Sequence, residues 1–220
     1  MPPPLLAPAL LALALLAPAP AAARPPKDKD VDARLSSLND ADRAPLVAAQ
    51  TRQRELQEES LRVVAAVELA RLDQLASKAW LDASSKVLEA IDGSEAAAKA
   101  GDRIDELSDL AGRRVRAQRT VEWRTAEFEA SKLKSTLEAA RLVSVKAELS
   151  KADAELVMVR LQVYNAAIGS SAEVEVEIGK AQTKVGRLGT QAARERSKLE
   201  AADKSWLNAQ AHADALKPAE

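Results

Sequence analysis

The position of the prolines constrains this chain more than any other feature. It has ten, and all lie at or before Pro45 except Pro218. A proline inside a helix removes a backbone hydrogen bond and clashes with the preceding turn, at a cost of roughly 3 kcal/mol. The stretch between Pro45 and Pro218 contains no such break and is rich in Ala, Leu, Glu, Lys and Arg, so it predicts helix nearly throughout. Aromatic residues make up only 2% of the chain, and much of the 47% hydrophobic share is alanine. Alanine fills narrow seams between helices but not a wide core. The expected fold is all-α: an elongated antiparallel coiled-coil hairpin or a rod of three long helices, with a disordered N-terminus. A net charge of −1 sets up no overall field to recruit nucleic acid.

The first residues, MPPPLLAPALLALALLAPAPAAARPP, carry a short apolar run from Leu5 to Leu16. Ala21-Ala22-Ala23 follows as a small-residue cleavage site. This is the pattern of a secretory signal peptide over 1–23, although its first part lacks Lys and Arg and Pro8 interrupts the run. The run is too short for a membrane span, which needs about 20 apolar residues. The chain has no cysteine, so neither a disulfide nor a lipid anchor on cysteine is available, and Asn39, Asn165 and Asn208 lie in no glycosylation sequon. Together these features predict a periplasmic or secreted bacterial protein with no integral membrane span after cleavage. Residues 24–38, with Pro25, Pro26 and the KDKD run, predict a flexible polar linker.

Three helices are expected, over about 39–91, 94–168 and 170–216, with a tail at 217–220. Asn39, Asp40 and Asp42 are good caps for the first, with Pro45 near its start. Its main apolar stripe is Leu61, Ala65, Leu69, Leu72, Ala76, Ala79, Ala83, Val87 and Ala90, in steps of three and four. Val63, Val64, Val67, Leu75, Leu81 and Leu88 widen it, and so wide a stripe predicts two neighbours. The first break falls at Asp92-Gly93-Ser94, with Gly101-Asp102 as the alternative, so the second helix begins at Ser94 or at Asp102. That helix carries a heptad seam: Leu142, Leu149, Leu156 and Val163, with Val145, Ala152, Val159 and Ala166 three residues after each. Leu107, Leu110, Val121 and Phe128 keep the register earlier, while Arg114, Arg124 and Ser135 break it. Gly169 is the expected helix stop, with Ser170 and Glu173 as a capping box. The third helix has one series at Ile178, Val185, Ala192, Leu199, Trp206 and Ala213. Its companion is Ala181, Leu188, Ala202, Ala209 and Leu216, with Glu195 as the one intruder. The region 39–216 thus forms one domain of long helices, antiparallel at each break.

No motif carries catalysis. His212 is the one histidine and has no cysteine or second histidine to join in metal binding, so it reads as solvent-facing. The acidic groups Glu55, Glu58, Glu59 and Asp102, Asp105, Asp109 read as a solvated face, since a rod offers no cleft to set their separation. Gly179, Gly186 and Gly189 lack the context of a phosphate loop and leave two readings: close approach of another helix, or simple tolerance. The candidate partner contacts are Trp80 and Trp123, as exposed aromatic anchors, and the basic cluster Arg113, Arg114, Arg116, Arg119 and Arg124. That cluster suits an acidic partner or an anionic envelope surface, or else pairs with acidic residues on a neighbouring helix.

In organisation alone, the chain resembles bacterial envelope coiled-coil proteins such as the periplasmic hairpins of export adaptors and the helical periplasmic chaperones; the resemblance carries no residue across. The function expected is that of a non-enzymatic spacer, scaffold or assembly partner of the cell envelope, using no cofactor or metal and no nucleic acid. It would bind a protein partner or self-associate through its helical seams. The alternatives are a periplasmic holdase chaperone and, third, an amphipathic-helix lipid binder, which the alanine-rich faces disfavour.

Overall fold

The structure, a computed structural model, describes residues 27–218. The signal peptide expected over 1–23 lies outside the described residues. Four helices follow one another: α1 Asp28–Ser36, α2 Asp40–Ala100, α3 Ile104–Ile168 and α4 Ala172–Leu216. The all-α architecture of long antiparallel helices stands as expected. α3, with 65 residues, is about 98 Å long at 1.5 Å per residue.

α3 is the central element. α2 packs along it from one turn and α4 from the other, while α2 and α4 scarcely touch. The two hairpins are fixed by ion pairs and hydrogen bonds across them. On the α2 side, Lys134 Nζ lies 2.8 Å from Asp73, Arg114 Nε 2.8 Å from Asp92, and Gln53 donates to Asp153 at 2.7 Å. On the α4 side, Arg196 lies 2.6 Å from Glu148. Three helices therefore do not close into a triangular bundle. They leave an open groove of about 600 Å³ between α2 and α4, floored by Leu137, Ser144 and Val145 of α3. A rod was expected to offer no cleft; the groove exists because the outer helices share a neighbour and not an interface.

Packing explains which residues sit where. The expected seam of α4 is the buried one except at its end: Ala181, Ala192 and Ala213 are buried, Ile178, Val185, Leu188, Leu199, Ala202, Trp206 and Ala209 are half-buried, and Leu216 is exposed; Val174, one heptad ahead of Ala181, is buried as well. The seam of α3 read from the heptads points to α2 and α1: Leu156, Val159 and Val163 pack with Val31, Leu35 and Leu46. Ala166, at its end, is exposed. A second seam of α3 faces α4. There Ala126 and Ala130 meet Ala213 and Ala209, and Leu137, Ser144, Ala147, Ala154 and Asn165 continue the same seven-residue repeat in buried positions.

Three boundaries differ from expectation. The segment 28–36 is helix and not flexible linker. α1 buries Val31 and Leu35, and its Asp32 and Asp28 pair with Arg160 of α3 at 2.7 and 3.4 Å. Arg34 donates to the Ala167 carbonyl at 2.7 Å. A short amphipathic helix hidden in a polar stretch thus docks on α3. The chain does not break at Asp92-Gly93-Ser94: α2 continues through it, and Ser94 Oγ donates back to the Ala90 carbonyl at 2.9 Å. One helical glycine costs only about 1 kcal/mol, which α3 packing at Ile91 and Ala98 offsets. The turn is at Gly101-Asp102-Arg103, with Asp102 at φ 53°, and α3 starts two residues beyond the later of the two expected starts. The third difference is the cap of α4. Gly169 is left-handed as expected, at φ 83°. The cap residue, however, is Ser171 and not Ser170, and no capping box forms; the buried Asn165 side chain accepts from the Ser171 amide at 2.8 Å. Asn39 caps α2 as expected, accepting from the Asp42 amide at 2.9 Å. Pro45 lies in the second turn of α2, beyond the first-turn position where a proline is free of cost.

The α3–α4 seam leaves little room beyond alanine. Ala130→Leu is expected to cost about 1–3 kcal/mol through overpacking. A fall of several degrees in the circular-dichroism melting midpoint checks this, and Ala139→Leu, at an exposed position of the same helix, should leave it unchanged.

Candidate interaction surface

The candidate contacts cluster where the thickness of the array changes. Ala213, in the last turn of α4, packs on Ala126 and Ala130, so α4 ends level with Arg124. Beyond that point, towards the 101–103 turn, α3 has only α2 beside it. Trp80, Trp123 and Arg124 occupy this step.

Arg124 is the centre of the group. Its guanidinium lies 3.9 Å from the ring centroid of Trp123 and 5.5 Å from that of Trp80, and it pairs with Glu127 one turn along α3. Its Nε is buried and has no hydrogen-bond partner. Stacking suits arginine here, because the planar cation covers a ring face while the fork still reaches a carboxylate. Such contacts contribute about 0.5–1 kcal/mol when exposed and about 2 kcal/mol when desolvated. Arg124 had marked a break in the α3 seam; the structure makes it a bridge between α3 and α2. Trp80 remains 59% exposed while Trp123 is half-buried. One of the two aromatic anchors is thus available to a partner.

The arginine cluster divides. Arg114 turns to α2, 2.8 Å from Asp92 and 3.9 Å from Glu95. Glu95 also binds Lys99, and that hydrogen bond, with the charges of Lys99 and Arg114, holds its carboxyl below the usual glutamate range against the opposing effect of desolvation. Arg114 is therefore an inter-helix tie. Arg113, Arg116 and Arg119 are exposed and make no ion pair among the described residues. They form the cationic part of the surface.

The other singled-out residues fall into place. His212 is exposed. Added Cβ atoms at Gly179 and Gly186 would meet nothing within 4 Å, and one at Gly189 would meet only the Lys151 side chain at 3.8 Å. No helix approaches closely there, so tolerance is the reading that holds. Among the described residues there is no group of three or more His, Cys, Asp or Glu side chains placed to hold a metal ion. Nor is any described helix long and apolar enough to cross a membrane.

Sequence reasoning missed one large feature. The main apolar stripe expected on α2 is not the face that meets α3. Val63, Ala70 and Ile91 are buried there, whereas Leu61, Leu69 and Leu72 of the main stripe stay 73%, 62% and 59% exposed. The width of the stripe was the signal that two faces exist. Comparison with known proteins adds no relative: no family model, curated protein or solved structure matches the chain.

Arg124→Ala is expected to destabilise the fold by about 1 kcal/mol and to red-shift the tryptophan emission as the Trp123 face opens to water. Arg124→Lys should recover only part of either effect, since an ammonium cannot stack. Fluorescence and thermal melts of the two variants check this.

Proposed function

We propose that the protein is a non-enzymatic exported spacer or scaffold of the bacterial cell envelope, binding partners through its surfaces and not by chemistry. The observation that carries the reading is α3, one helix of 65 residues with hairpin turns at its two ends. These turns, at 101–103 and 169–171, are separated by about 98 Å. A structure of this kind holds two places apart at fixed distance. The N-terminal apolar run, the Ala21-Ala22-Ala23 site and the absence of cysteine support export. Exposed Trp80 with Arg113, Arg116 and Arg119 supports contact with an acidic partner or an anionic envelope surface.

A holdase chaperone is the second reading, and it too has an observation in its favour. It requires apolar surface left over after the seams are satisfied, and the outward leucines of α2 supply it.

Three measurements test these readings. Small-angle scattering of the chain should give a maximum dimension of about 100 Å or more, and fractionation of bacteria expressing it with its N-terminus intact should recover it outside the cytoplasm. A compact particle or a cytoplasmic protein overturns the spacer reading. Failure to suppress aggregation of an unfolded outer-membrane protein removes the chaperone reading.

A further inference from the structure

α2 has two apolar faces, and α3 covers one of them. Leu72 is two residues from buried Ala70, which turns it to the far side of the helix. Leu61, Leu72 and Leu75 are exposed there, as are Ala79 and Ala83. The stripe from Leu61 to Ala90 is about 45 Å long at 1.5 Å per residue. Isolated exposed leucines are ordinary on a protein surface, but a continuous line of them marks an interface.

The charges that interrupt the stripe identify what covers it. Reading along α2, they are Glu68, Arg71, Asp82, Lys86 and Glu89, alternating in sign, with Lys78 on the flank of the stripe. Glu68 and Arg71 face each other loosely at 3.6 Å on the exposed side, and Asp82 and Lys86 have no ion-pair partner among the described residues. Let a second copy of α2 lie antiparallel on the first, with the two-fold axis at the level of Ser77. Glu68 then faces Lys86 of the second copy, and Arg71 comes alongside Asp82. Each pair occurs twice by symmetry. The same alignment sets Leu75 against Ala79, Leu72 beside Ala83 and Leu61 against Gly93. Large side chains oppose small ones at each of these layers, and Gly93 borders open space in the single chain. A parallel alignment in register would instead put Glu68 on Glu68 and Lys86 on Lys86, and like charges reject it.

We propose that the protein forms an antiparallel two-fold dimer through the outward stripe of α2. The dimer goes beyond the spacer reading and does not depend on it, since a protein confined to the cytoplasm could still dimerise in this way.

Sedimentation equilibrium of the full chain should show a species of about 47 kDa, twice the 23.5 kDa of one chain. Glu68→Lys alone, or Lys86→Glu alone, turns two attractive pairs repulsive and should raise the dissociation constant about tenfold or more. Glu68→Lys combined with Lys86→Glu should restore the dimer. Circular dichroism of the variants should stay helical, and the double reversal separates lost pairing from lost folding. The chain has no cysteine, so a nitroxide on Arg62→Cys reports direction. An antiparallel dimer places the two labels about 45 Å apart along the helix axis, and a parallel one places them side by side. A monomer at every concentration, a dimer indifferent to both reversals, or side-by-side labels overturns the proposal. A monomer that holds unfolded clients through these leucines also overturns it, and assigns the stripe to the chaperone reading.

Discussion

The fold depends on one helix having two seams. α3 meets α2 and α1 along one line of side chains and α4 along another, and the outer helices have almost no contact with each other. Most of the stability of a helix in a folded protein comes from the packing of its apolar faces rather than from intrinsic propensity. α3 is therefore held by its neighbours, and they are held only by it. Damage to α3 at Ala130 or Ala147 loosens α4, and damage at Val145 or Leu156 loosens α2 and α1. The two sides are coupled through the rigidity of a single backbone.

The α3–α4 seam is built mainly from alanine, which brings helix axes close and keeps side-chain entropy losses small. Of its buried polar members, Asn165 supports the turn into α4 by accepting from the Ser171 amide at 2.8 Å, and Ser144 lines the groove between α2 and α4. The α2–α3 seam is more mixed and uses charge across the gap, with Arg114 and Lys134 reaching acidic groups on α2. These pairs are exposed and contribute at most about 1 kcal/mol each, so they set register more than stability.

How much of this was legible depended on the kind of residue doing the packing. Leu, Ile and Val at seven-residue spacing announced the inner seam of α4 and the α2-facing seam of α3, because bulky side chains so spaced need a neighbouring helix to bury them. The α4-facing seam of α3 was hidden, since Ala126, Ala130, Ala147 and Ala154 are common in any helix and Ser144 and Asn165 look like surface. On α2 the main leucine stripe lies on the outward face, while the inward one buries Val63, Ala70 and Ile91 and half-buries Leu81 and Leu88. Gly93 looked like a stop because turns favour glycine, but nothing local forced one. α1 lies in a stretch whose charge concealed Val31 and Leu35, and only long-range contact with α3 makes it a helix. Of the candidate contacts, the sequence placed Trp80, Trp123 and Arg124 on their helices. It could not foretell that Arg124 would lie over both rings, since that depends on the hairpin register set by the distant turn at 101–103.

The docking of α1 gives the molecule a root and a free end. Asp28 and Asp32 hold to Arg160, and Arg34 to Ala167, so the chain enters the fold beside the 169–171 turn. The slender pair of helices carrying the basic arginines ends far away, at 101–103. The point where the chain enters the fold and the cationic end that carries Arg113, Arg116 and Arg119 thus lie at opposite poles of α3.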